Sequence, residues 1–107
     1  VGPLVDRLRV RALLGLSALQ VKGDAAAALR HATEAAQGLS AESPALDDRL
    51  LWAAARLAQA QALQATGQRQ DAAAAAAVAV AQLQRDQMPT SPRLAHAKAM
   101  LVAARRP

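Results

Sequence analysis

Alanine- and leucine-rich stretches, interrupted by short polar segments that carry glycine or proline, divide the chain into five helical segments. Each break has a local cause. Pro3 opens the first helix at a position where its missing N–H is harmless, and Gly23 closes it. Asp24 is placed to cap a second helix that runs to Gln37, with Gly38 as a left-handed stop. The pair Ser43-Pro44 starts the third, serine as N-cap and proline as first helical residue. Asp47 and Asp48 then face the positive end of the helix dipole. That helix runs to Thr66 and stops at Gly67. A fourth spans Arg69 to Asp86 before the Met88-Pro89 break, and Ser91-Pro92 launches a fifth.

The segments repeat. Leu4-Val5-Asp6-Arg7-Leu8-Arg9-Val10 matches Leu46-Asp47-Asp48-Arg49-Leu50-Leu51-Trp52 at an offset of 42 (46 − 4), Gly23 and Gly67 lie 44 apart (67 − 23), and the Ser-Pro pairs 48 apart (92 − 44). Such spacings predict two and a half helical hairpins joined by loops of varying length: 3–38, 44–86 and 92–106 within a single domain, 1–107.

Around each turn glycine the small residues keep fixed places. Ala28 and Ala35 follow Gly23 by the same two steps as Ala72 and Ala79 follow Gly67, and Leu19 and Leu63 stand four residues before the turn. In these positions the chain resembles the tetratricopeptide family, in which alanine lets paired helices approach closely. The long repeat with its Ser-Pro-x-Leu type of start is similar to the kinesin-light-chain and bacterial-regulator branch. The resemblance implies an all-α fold of antiparallel hairpins stacked as a right-handed superhelix. It also implies a non-catalytic scaffold that binds a peptide or protein on a concave face lined by the first helix of each hairpin. The polar residues so implied are Arg49, Arg56, Gln59 and Gln20, with Lys98 in the fifth helix. Their charge would favour an acidic partner. The carboxylate clamp of chaperone-binding members is not expected, because Leu13, Ser17 and Ala58 hold the matching positions.

Composition supports a helical chain held by packing alone. Hydrophobic residues make up 53 % of 107, yet Trp52 is the only aromatic, which disfavours β structure. Lacking cysteine, the chain forms no disulfide, thiolate zinc site or cysteine nucleophile. Trp52, in the central helix, is expected to be buried between its neighbours. The run Ala72 to Ala81 is too short and too weakly apolar to span a bilayer. A start at Val1 with no leader pattern suggests a piece of a longer protein, with the cytoplasm as the default location.

Net charge is +5, almost all from arginine, a balance that GC-rich bacterial coding produces without any function. Nucleic-acid binding through Arg7, Arg9, Arg11 and Arg105-Arg106 ranks below protein binding, since no aromatics accompany them and Asp6 and Asp48 are interleaved. Enzyme activity is not expected. His31, with Glu34 one turn on, and His96 stand apart, glycines are isolated, and no serine sits in a nucleophile-elbow context. No metal or cofactor is expected. The alternative to partner binding is self-association or docking onto a neighbouring domain, such as a kinase or DNA-binding output domain. The surface for it would be a fifth helix whose Leu94, Met100, Leu101 and Val102 lack a covering helix.

Overall fold

The computed structural model describes residues 3–86 and 90–105, with side chains from Arg7 onward; the Met88-Pro89 break, Arg106 and the Asp6 side chain lie outside the described residues. Five helices form: α1 (Pro3–Gln20), α2 (Ala25–Gln37), α3 (Leu46–Ala65), α4 (Arg69–Asp86) and α5 (Pro92–Arg105). Among the described residues there is no strand.

Local chemistry sets most of the boundaries. The Asp24 carboxylate accepts the Ala27 N–H at 3.0 Å, capping α2. The Ser91 hydroxyl accepts the Leu94 N–H at 3.5 Å as Pro92 begins α5. Gly67 has φ +82°, so it can reverse the chain where an L side chain would be strained. Around it the Gln68 N–H reaches Leu63 O at 2.9 Å and the Gly67 N–H reaches Gln64 O at 3.1 Å, the paired bonds of a Schellman stop.

Two boundaries differ from expectation. Gly38 is not left-handed; at φ −80° its N–H simply continues the helical pattern to Glu34 O, so α2 ends without a reversal. Ser43 does not cap α3, which begins two residues after Pro44 with Ala45 as an uncapped N-cap. The Ser43 hydroxyl instead accepts the Ala45 N–H and donates to Asp48 Oδ2 at 3.2 Å, bracing the loop against the first turn.

The helices pack as a two-row strip. Each touches its chain neighbours, α3 also touches α1 and α5, and α2 and α4 do not meet. The radius of gyration is 13.1 Å, matching the ~13 Å of a globular chain this long rather than a single rod. Within hairpins the helices run antiparallel, and α1, α3 and α5 run parallel: Arg7 meets Asp48 near the start of α1 and α3, while Val21 lies beside Gln64 and Ala65 at their ends. The close-approach alanines Ala28, Ala35, Ala72 and Ala79 are all fully buried. Leu83 is the largest apolar side chain with no exposed surface, in a cluster with Ala53, Leu57, Ala79, Leu94 and Ala97.

Burial corrects two further expectations. Leu63 packs beside Ala60, Ala75 and Ala76, but Leu19, its counterpart in the first hairpin, is 83 % exposed because among the described residues no helix covers that side of α1. The apolar residues of α5 are not left open. Leu94 is 2 % exposed, and Met100 and Leu101 pack against the α3/α4 clusters; of these four large apolar residues only Val102 faces outward. The docking of α5 into the angle between α3 and α4 turns that ridge inward.

Candidate functional site

The face of α3 between α1 and α5 carries Ala54, Ala58, Gln61 and Ala65, spaced by four, three and four residues, so they share one helical stripe. Three of the four are alanine, and α1 and α5 flank α3 without touching each other. A trough results, with α3 as its floor. One half is a cavity of ≈ 250 Å³ lined by Leu14 of α1, Ala54, Leu57, Ala58 and Gln61 of α3, and Arg93 and His96 of α5. The other half, ≈ 280 Å³, is lined by Val21, Ala60, Gln61, Gln64, Ala65, Met100, Ala103 and Ala104 and is nearly all apolar. Gln61 belongs to both, so the two halves join. The side-chain amide oxygen of Gln64, Oε1, is buried there with no hydrogen-bond partner. Arg93 and His96, both exposed, place cationic capacity at one end only.

The five polar residues expected to line a partner surface lie elsewhere. Gln20 Oε1 is 2.6 Å from Nδ1 of His31, tying α1 to α2. The Arg49 guanidinium binds the Asp86 carboxylate of α4 at 3.1 Å and donates to Ser43 O at 2.9 Å. Arg56 donates to Gln59 Oε1 at 2.8 Å, and Gln59 donates to the Thr33 hydroxyl of α2 at 3.2 Å. Lys98 is exposed on α5. Arg56 and Gln59 are thus brought together, but on the side of α3 that meets α2, where they knit hairpins to one another. Trp52 is partly buried and outside the apolar clusters, with the Arg56 guanidinium carbon 5.9 Å from its ring centre.

Of the polar residues lining the trough, the sequence singles out only His96, and that as a lone imidazole; Gln61, Gln64 and Arg93 carry no sequence signal of their own. The signal available for the floor was the Ala54–Ala58–Gln61–Ala65 stripe, a face too short-chained to fill the gap between two helices.

The ion pairs Arg7–Asp48 and Arg49–Asp86 act as struts between helices. The Arg7 guanidinium, 2.8 Å from Asp48, holds that carboxyl below its ordinary value by a hydrogen bond to its charged form, reinforced by their opposite charges and by the Ser43 hydroxyl. Arg49 lowers Asp86 in the same way, helped by the Gln82 amide. Among the described residues no group of three His, Cys, Asp or Glu side chains could hold a metal ion, and no helix is long and apolar enough to cross a membrane.

No protein-family model, no curated protein and no solved structure matches the chain.

Proposed function

We propose that this chain is a non-catalytic scaffold of the tetratricopeptide type, its hairpins stacked as a short superhelix, that binds a segment of a partner protein in the trough over α3. The observation that carries the reading is the joined trough between two helices held apart, floored by Ala54, Ala58, Gln61 and Ala65. Parallel first helices in one row and fully buried alanines at the hairpin crossings support the repeat architecture. A mostly apolar channel with a few polar groups suits an amphipathic peptide. Its apolar side chains would enter beside Val21, Met100 and Ala103, and a carboxylate would meet Arg93 and His96. The unpartnered Gln64 Oε1 would accept a backbone N–H from the same peptide.

The test is selection of peptides from a displayed random library, followed by titration of the winners against Gln61→Trp, which fills the trough where its halves join. Binding should fall by at least about tenfold, corresponding to about 1.4 kcal/mol. Winners that bind Gln61→Trp as well as the parent chain would refute the trough as the binding site.

A further inference from the structure

The back of α3, opposite the trough, is the floor of a second groove, walled by the helices before and after it in the chain. Arg49, Trp52, Arg56, Gln59 and Leu63, spaced by three, four, three and four residues, share one stripe there. The stripe runs between α2 and α4: Gln59 donates to Thr33 of α2, Arg49 binds Asp86 of α4, and Leu63 packs with Ala75 and Ala76 of α4. Those two helices do not touch each other, so Trp52 and Arg56, both only partly buried, line the gap. On the α4 wall Val78 is 40 % exposed, between Ala75 and Gln82 on one helical stripe. Toward Gly67 the groove deepens into a cavity of ≈ 480 Å³, lined by Ala26, Leu29 and Thr33 of α2 and by Thr66 and Gln68 of the α3–α4 turn.

Charge on the floor selects the visitor. Among the described residues three arginines are partly withdrawn from solvent, and two of them have a carboxylate: Arg7 has Asp48, and Arg49 has Asp86. Arg56 has none within ion-pair distance. Its Nη1 is spent on the neutral Gln59 amide, its Nε is buried with no hydrogen-bond partner, and its guanidinium carbon stands 5.9 Å from the centre of the Trp52 ring. A guanidinium drawn partly out of water without a counter-charge costs the fold energy, and a carboxylate brought to it offsets that cost with a charge-assisted bond. At the mouth of the cavity Arg30 and Glu34, both exposed and one turn apart, offset each other, which leaves Arg56 as the uncompensated charge.

Helix geometry sets the spacing of the recognised groups. The cavity extends along α3 from Gln59, which is bonded to Thr33, to Thr66. Its middle therefore lies about 10 Å along the helix from Arg56, a distance covered by about three residues of extended chain.

We infer that the groove between α2 and α4 binds an extended segment of a partner protein, one that carries a carboxylate for Arg56 and, three residues away, an aliphatic side chain for the Leu29 cavity. Trp52 is the only aromatic residue, so its emission in the parent chain reads the groove directly. The probes are displayed peptides lacking tryptophan and tyrosine, selected against Gln61→Trp, in which the trough is filled, and then titrated as synthetic peptides against the parent chain. Winners should hold aspartate or glutamate three residues from leucine, isoleucine or valine, and should shift Trp52 emission. Affinity should drop at least about tenfold when the acid of the peptide becomes its amide, and equally in Arg56→Gln. Ala26→Glu, which sets a carboxylate on the exposed rim of the cavity, should give the same loss and guards against a folding defect in Arg56→Gln. No winners, winners without an acid, or winners that bind Arg56→Gln and Ala26→Glu undiminished would overturn the inference. So would a dimer in sedimentation equilibrium that Ala26→Glu dissolves, which would make a second copy the occupant, or a longer form of the protein that no longer takes the peptides, which would make a segment of the same protein the occupant.

Discussion

Arg7 Nε donates to Asp48 Oδ1 at 2.8 Å, joining α1 to α3 across 41 residues of sequence. The bond pins the open ends of two successive hairpins, and its twin, Arg49 with Asp86, pins α3 to α4. Each strut places an arginine on a first helix, α1 or α3, and an aspartate on another helix packed against it.

These struts make stability fall in acid. Asp48 and Asp86 ionise below their ordinary values when folded, so on acidification the unfolded chain takes up their protons first. The contribution is fully present above the ordinary carboxylate value of about 4 and is lost as pH drops through the depressed folded values. Urea unfolding at pH 7 and in steps below pH 4 should show the loss, and Asp48→Asn/Asp86→Asn should lose less on acidification than the parent chain.

Close packing at the hairpin crossings leaves no room for growth. Ala35 and Ala79 are fully buried, and Ala35→Leu or Ala79→Leu should cost about 1–3 kcal/mol through displaced helices. Leu83→Ala, which empties the largest fully buried apolar site, should cost about 2–5 kcal/mol. Ala74→Leu, exposed on α4, serves as the control in the same thermal melts.

Glycines separate by backbone geometry. Gly67→Ala forces an L residue to φ +82° and should cost about 1–2 kcal/mol. Gly38→Ala meets only ordinary contacts, 3.7 Å to Ala35 O and 3.8 Å to Val10, and Gly15→Ala meets none. Both should leave stability unchanged or raise it by up to about 1 kcal/mol. The denaturant midpoint of Gly67→Ala should fall below those of the other two variants.

Gln64→Leu should stabilise the free chain. It removes a buried carbonyl oxygen that has no partner and adds apolar volume to an apolar cavity, a gain of about 1 kcal/mol. A lowered melting midpoint would show that the amide makes a bond the fold depends on.

Helix positions were legible from residues alone because their causes are local. Asp24 reaches a backbone N–H three residues away, Pro92 fits a first turn, and Gly67 takes a conformation other residues avoid. The alanines at the crossings were legible too, since their spacing from the turn glycine follows from helix pitch. Even there, Ser43 shows how a tertiary partner redirects a local signal: with Asp48 and Arg49 beside it, its hydroxyl and carbonyl brace the loop rather than cap the helix.

Which polar residues face outward was decided only by the assembled structure. Arg49, Arg56, Gln59 and Gln20 have the composition of a binding surface, but each found a partner within the fold, three of them on a neighbouring helix, because a long polar side chain goes wherever a nearby group can satisfy it. Leu19 and Leu63 are the same residue in the same repeat position, and one is bare while the other is packed. The sequence by itself determines where helices start, stop and present small faces; the exposure of each face is a property of its neighbours, and those exist only once the hairpins have stacked.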